Sequence, residues 1–375
     1  MRQRSYDVVI IGGGIAGASL AYFLAARGVR DVLLLERETQ PGYHSTGRSA
    51  AVAVEWDPVP ALQALKVQGA AFLRQPPPDF APTPLLIPTG ILVVCEGPLW
   101  RAAQAIAPAL AAGGTTIELL SAADVLTRIP VLAPEFVEGG VLLPADGHIE
   151  VHELLWSYLR GAAQGGAERC CGVSVRAVRT EGGRVSGVST SAGDVDAPWV
   201  VDAAGAWAGV VAAAAGATPI PLSPCRRTII TFDAPPDLDV SGWPLVEHDA
   251  QQLYFAPESG GLFASPMDEE PLAPCDATAD ELAIATAADR VARVAPRLAP
   301  RRIRRAWAGL RTFAPDRVLV VGEDPRLPGF FWLAGHGGCG IETSGAVGPI
   351  AADLLVDGRT TRFDASLLSP ARFAG

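Results

Sequence analysis

Three glycines stand where a phosphate could approach the backbone. Gly12, Gly14 and Gly17 form G-x-G-x-x-G directly after the apolar run Tyr6 to Ile11. In that setting Gly12 allows a tight turn, Gly14 lets an anion reach the main chain, and Gly17 lets a helix lie against its strand. Ile15 and Ala16 fall at the start of that helix, whose free N–H groups would face a pyrophosphate. Glu36 follows Gly12 by 24 residues and ends a second apolar run, Asp31 to Leu35. It is placed to accept hydrogen bonds from adenosine ribose hydroxyls. Arg37 to Ala51 is a small, polar, glycine-bearing loop. It reads either as a second phosphate cradle, with Ser45, Thr46, Arg48, Ser49 and Ala50 in reach, or as an ordinary surface loop. Two further strands run into glycine turns. Trp199 to Trp207 carries Ala204 and Gly205, and Phe330 to Gly340 carries Gly335, Gly337 and Gly338.

The elements that must hold these residues are legible from pattern. Strand, glycine turn, alanine-rich helix to about Arg27, strand and acid make a βαβ dinucleotide unit. A helix is expected over 60–74, stopped by Pro76-Pro77-Pro78. Gly182-Gly183 signals a hairpin between strands 171–179 and 185–190. Strand-rich stretches cover 85–95 and 225–313, with one helix at about 278–294. A long helix follows Gly340, through Ile341, Glu342 and Thr343, and ends near Asp357.

Composition sets the outer limits. The 375 residues are 49% hydrophobic and 19% charged, which fits a globular chain with substantial cores. With 30 basic against 40 acidic residues the net charge of −10 argues against nucleic acid as a partner. Lys66 is the only lysine. Six cysteines without CxxC spacing suggest a reducing, cytoplasmic setting, with peripheral contact to an inner membrane left open. His148, Glu150 and His152 lack the zinc-protease order, and no metal is expected. The uncharged run 8–26 behind Met1-Arg2-Gln3-Arg4 has signal-peptide character, but its glycines follow the nucleotide pattern, and no integral membrane segment is expected.

The fingerprint does not separate FAD from NAD. QPGYHSTGRSAA (Gln40 to Ala51), AAGAW (Ala203 to Trp207), WAGLRTF (Trp307 to Phe313), GFFW (Gly329 to Trp332), GIETS (Gly340 to Ser344) and LLSP (Leu367 to Pro370) do. Together they resemble the D-amino-acid oxidase family of FAD flavoproteins, nearest its D-arginine dehydrogenase branch, over essentially the whole chain. The resemblance implies an α/β fold. A Rossmann-like FAD domain is assembled from 1–80, 140–220 and 315–375. An antiparallel-sheet substrate domain comes from 81–139 and 221–314. It implies noncovalent FAD, with His44 a minor candidate for a covalent link, and adds Val175, Trp207 and Ala51 to the cofactor contacts. Partners would be a small amino acid or amine and an unidentified electron acceptor, oxygen or quinone among them; a homodimer is left open.

The resemblance also assigns the chemistry. Arg227 and Arg311 correspond to carboxylate-binding arginines, whose planar forks match two oxygens. Tyr254 corresponds to a tyrosine reaching the same carboxylate, and His336 lies in the glycine turn beside the flavin. Glu342 replaces a glutamine, and a carboxylate there needs neutralising. Val52 stands for a histidine, with Val54 beyond it, and Ile91 falls where an acid binds a guanidinium. The pocket is therefore expected to disfavour D-arginine and D-lysine and to accept apolar or cyclic D-amino acids. Hydride would pass from Cα to flavin N5, and the imine would hydrolyse to a 2-oxo acid. Lys66 is expected to lie away from the site. The alternatives are oxidation of secondary or N-methyl amines, a biosynthetic tailoring step, a non-catalytic flavin-binding subunit, and a non-redox nucleotide-binding protein.

Overall fold

The structure, a computed structural model, describes residues 5–374. Met1-Arg2-Gln3-Arg4, with their signal-peptide character, lie outside the described residues. Val8–Ile11 is buried at every position, as a run of β-branched residues is at the centre of a parallel sheet. It pairs in parallel with Val32–Leu35 on one side and Trp199–Asp202 on the other. Among the described residues this sheet has the order Val320–Glu323, Phe330–Ala334, Trp199–Asp202, Val8–Ile11, Val32–Leu35, Glu168–Cys170. Only the edge pair formed by Val320–Glu323 is antiparallel.

Helices Ile15–Ala26, Pro60–Arg74, Val151–Gln164 and Ser344–Asp357 share one apolar core with this sheet. Their contact is built on Tyr22, Phe23, Phe72, Phe80 and Tyr158, whose ring centroids lie 4.9–6.1 Å apart. Glycine makes the approach close enough. A Cβ on Gly161 would sit 2.6 Å from the Tyr22 ring. The buried Tyr158 hydroxyl is matched by Ser344 Oγ at 3.2 Å.

A second, larger sheet runs His336–Gly337, Ile303–Phe313, Ser223–Phe232, Gly261–Ser265, Leu253–Glu258, Leu245–His248, Ile91–Cys95, Gly139–Leu143, Glu118–Ser121. Side chains alternate along each strand. One face carries Ile230, Phe232, Phe255 and Leu262 under helix Glu281–Val294. The other carries Arg227, Ile229, Tyr254, Arg311 and Glu247, because Arg227 opposes Gly309, Cys225 opposes Arg311 and Glu247 opposes Tyr254. That face turns toward the glycine loops.

Two expected strands are shorter than their apolar patterns. The stretch 85–95 splits at Gly90 (φ +84°) into Leu86–Ile87 and Ile91–Cys95, which join different sheets. The strand expected from 171 begins at Val175. The residues before it bond elsewhere: Gly172 N–H donates to Glu38 O and Val173 N–H to Glu36 O, tying this segment to the end of the first βαβ unit. No helix of the described residues is long and apolar enough to cross a membrane.

Candidate active site

One elongated cleft begins at the first glycine turn. Gly12 has φ +114°, and a Cβ there would collide with the Ala203 carbonyl. Gly14 has no side chain to block the helix start, and a Cβ would lie 3.2 Å from Thr46 Oγ1. Thr46 Oγ1 accepts the Ile15 N–H at 3.1 Å. Glu36 holds the neighbouring loops: Oε2 accepts the Gly13 N–H and Oε1 the Glu38 N–H, both at 2.8 Å. Each oxygen keeps further acceptor capacity, and Glu36 lines the cleft.

Glu36, Arg37, Val175, Ala204, Gly205 and Trp207 line the near end of the cleft. The Arg37 guanidinium lies 4.2 Å above the Trp207 ring. Gly14, Ser45, Thr46 and Gly205 continue into the far end, where Ile15, Ala16, Arg48, Ser49 and Ala50 meet Gly335, Gly337, Gly338, Gly340 and Ile341. These residues fit FAD: an acid for the ribose, a bare helix start for the diphosphate, and a glycine-lined chamber for the ring. Arg48 is already neutralised by Asp276 and donates to Ala277 O at 2.8 Å. His44 lines only the Glu36 end, beside Glu38 at 2.9 Å, so it is not where a bond to the flavin ring would form. Gly17 and Thr343 support rather than line the cleft. A Gly17 Cβ would strike Gly12 O, and Thr343 Oγ1 donates to Cys339 O at 2.8 Å.

The far end opens into a second cavity shared by Arg227, Tyr254, Arg311 and His336. Arg227 is 6% exposed; its Nε donates to Asp268 O at 3.0 Å and its Nη2 to Glu269 at 2.9 Å. Among the described residues its Nη1 has no partner, and neither do Tyr254 Oη and His336 Nδ1. Buried polar atoms rarely go unpaired, so three of them on residues lining one cavity mark a ligand position. Burial lowers the Arg227 pKa, with the Arg311 charge adding to it. Burial pulls His336 down to about 4, so its imidazole is neutral at pH 7. The Arg311 guanidinium packs over Gly338, where a Cβ would lie 2.8 Å from Nη1.

Ala51 (φ +57°), Val52 and Val54 line this cavity with Trp56, Leu245, Met267 and Phe313. Ile91 does not. It is fully buried in the apolar cluster behind them, paired with Leu245. The expectation that an isoleucine at 91 leaves the cavity without an acid is therefore corrected: Glu247, Asp249, Asp57, Glu269 and Glu342 all line it.

Lys66 also departs from expectation. It is not remote: its Nζ lies 2.9 Å from Asp57 and 3.4 Å from Glu342, inside the same cavity wall. Gly69, one turn along, explains the approach. A Cβ there would collide with Glu342 O, so glycine lets helix Pro60–Arg74 close onto this backbone. Burial alone would lower Lys66, but Glu342 and Asp57 outweigh it and hold the ammonium above its ordinary pKa. Glu342 Oε2 accepts the Val54 N–H at 2.8 Å. The substituted glutamate thus has its neutralising cation.

Sequence reasoning missed Lys66, Glu247 and Asp249. The four residues Asp249 to Gln252 between two apolar runs are a hairpin signal, and counting across it pairs Glu247 with Tyr254. Nothing local announces Lys66.

The FAD dependent oxidoreductase family, DAO, matches residues 7–354, and the chain belongs to it. Its cofactor is FAD. The chain is 27% identical to hydrogen cyanide synthase subunit HcnC of Pseudomonas aeruginosa over 99% of this chain and 97% of that protein. It is 27% identical to glycine oxidase of Geobacillus kaustophilus over 99% and 98% of the two chains. The solved structure of that oxidase superposes with a TM-score of 0.82 over 98% of each chain. Mitochondrial sarcosine dehydrogenase of Homo sapiens is 26% identical over 94% of this chain and 40% of its own length.

Proposed function

We propose that the protein oxidises the Cα–N bond of an amino acid with a free carboxylate, and that apolar or cyclic D-amino acids are its preferred substrates. One observation carries the reading: Arg227 Nη1 and Tyr254 Oη are buried and unpartnered among the described residues, and both side chains line, with Arg311, a cavity that opens on the FAD cleft. Two guanidinium forks and a phenol suit a carboxylate. FAD, when bound, supplies the acceptor for the hydride. The chain's own residues fix the carboxylate and so the Cα, while Val52, Val54, Trp56, Leu245 and Met267 exclude water around the side chain. Neutral His336 donates Nε2–H to Leu333 O at 3.3 Å, which leaves Nδ1 as an uncharged hydrogen-bond acceptor. The product imine would hydrolyse to a 2-oxo acid.

The side-chain preference now rests on those apolar walls, set against the five acids that line the same cavity, and not on the residue at 91. D-arginine and D-lysine are therefore the discriminating members of a substrate panel. We also propose that 1–80, 140–220 and 315–375 form the cofactor unit and the remainder the substrate unit. Because Gly139–Leu143 pairs within the larger sheet, we propose that the middle segment of the cofactor unit starts after it instead of at 140.

A second reading is oxidation of secondary or N-methyl amino acids, supported by the likeness to sarcosine dehydrogenase. Anaerobic mixing of the FAD-loaded protein with D-, L- and N-methyl amino acids tests both. Bleaching by apolar or cyclic D-amino acids ahead of D-arginine supports the first reading. Fastest bleaching by sarcosine or another N-methyl amino acid replaces it with the second.

A further inference from the structure

Glu247 has no task in the reading above, yet it stands beside the carboxylate position. It lies in Leu245–His248, opposite Tyr254 in the antiparallel pair and beside Val93 in the parallel one. Directly opposed residues share a face, with Cβ atoms about 5 Å apart. The Glu247 carboxyl and the Tyr254 phenol therefore leave the sheet side by side and line the same cavity as Arg227 and Arg311. Tyr254 is 5% exposed and its hydroxyl has no partner, so the ligand position is marked independently of any acid.

An amino acid near neutral pH carries an ammonium, and its nitrogen has no lone pair. Hydride cannot leave Cα until that nitrogen loses a proton. A site that grips the carboxylate at Arg227, Arg311 and Tyr254 places the ammonium close by, where it needs an acceptor. His336 is a poor one, since burial holds its conjugate acid near pH 4. Lys66 is a cation already engaged by Asp57 and Glu342.

We propose that Glu247, supported by Asp249, takes the proton from the substrate ammonium. An N–H bond breaks, an O–H bond forms on the Glu247 carboxylate, and the freed lone pair stays on nitrogen. As hydride leaves Cα with its electron pair for FAD, that lone pair becomes the second C=N bond. This assignment rests on the amino-acid reading above.

The charged and titratable groups facing Glu247 come from every neighbouring element. They are Asp249 from the following turn, Tyr254 and Cys95 from the flanking strands, Lys66 from helix Pro60–Arg74 and Arg311 from Ile303–Phe313. Burial and then Asp249 push Glu247 up to about 7, against Lys66 and Arg311. Above that pH Glu247 is ionised and can accept a proton; below it the site is blocked.

The test follows anaerobic flavin bleaching against pH, using the FAD-loaded enzyme and the amino acid that bleaches it fastest. Wild type should lose rate on the acid side with a midpoint near 7. In Glu247→Gln the rate at pH 7 should fall about 100-fold, and the midpoint should rise by roughly one pH unit or more toward that of the free ammonium. Acetate, which has no amine, should still perturb the flavin spectrum of that variant, with affinity no weaker than wild type because a neighbouring negative charge is gone. Asp249→Asn should move the midpoint to lower pH, and it decides the matter if Glu247→Gln does not hold flavin. An unchanged midpoint in either folded variant overturns the assignment while leaving the amino-acid function standing. A wild-type flavin that no amino acid bleaches removes both.

Discussion

Arg227 and Arg311 face one cavity but are fixed differently. Arg227 is braced by Asp268 and Glu269, with Arg317 sharing Glu269 at 3.0 Å, and offers a single free nitrogen. The Arg311 guanidinium packs over Gly338, and the residue lines the cavity. Losing one partner of a desolvated, charge-assisted pair costs about 2–5 kcal/mol. Arg311→Met should therefore raise KM for the amino acid by roughly 30-fold or more. Its melting temperature should stay close to wild type, since no brace is lost. Steady-state kinetics beside thermal melts would show this, and an unchanged KM would take Arg311 out of the carboxylate site. These arginines and Tyr254 were legible through the family resemblance, the arginines also from their strand settings. Glu247 was harder to see, since its meaning comes from the strand beside it.

At the scale of elements, the contact that matters most is the closing of helix Pro60–Arg74 on the Glu342 backbone. Gly69 permits it, and Lys66 then meets Glu342 and Asp57. Removing one member of a buried ion pair strands the other, at a cost of about 3–5 kcal/mol. Lys66→Met should lower stability by that order, and Lys66→Met with Glu342→Gln should recover part of it, because one of the two orphaned carboxylates is gone while Asp57 stays. Chemical denaturation of the four proteins gives the coupling, and strict additivity would mean the pair is not coupled. Gly69→Val should separate the helix from residue 342 and weaken FAD retention on gel filtration. The helix itself was readable from its pattern and from the prolines after it. Its docking was not, since the contacting backbone lies far along the chain at residue 342. The βαβ unit was readable throughout, because its strands, glycines and acid are close in sequence.

For the whole molecule, the two sheets enclose a cleft running from Glu36 to Arg311, and folding buries carboxyls along it. Asp202 ends a central strand with Oδ1 accepting the Ala204 N–H at 3.1 Å and Oδ2 unpartnered. Burial raises its pKa to about 8. A carboxyl raised on folding contributes stability that is complete below its unfolded pKa, near 4, and is lost as pH climbs to its folded value. Between those limits the loss is about 1.4 kcal/mol per pH unit for one such group. Wild type should thus melt at progressively lower temperature from about pH 5 to about pH 8. Asp202→Asn should flatten that decline, and equal slopes for the two proteins would contradict the buried, protonated carboxyl.

The central claim is that this FAD cleft serves an amino acid held by its carboxylate. Anaerobic titration of the FAD-loaded wild type with a panel of amino acids, followed by flavin absorbance, tests it most directly. Full bleaching by apolar or cyclic D-amino acids, slowed roughly 30-fold or more at sub-saturating concentration by replacing Arg311, is the predicted result. Bleaching by amines without a carboxylate as fast as by their amino-acid counterparts would contradict it.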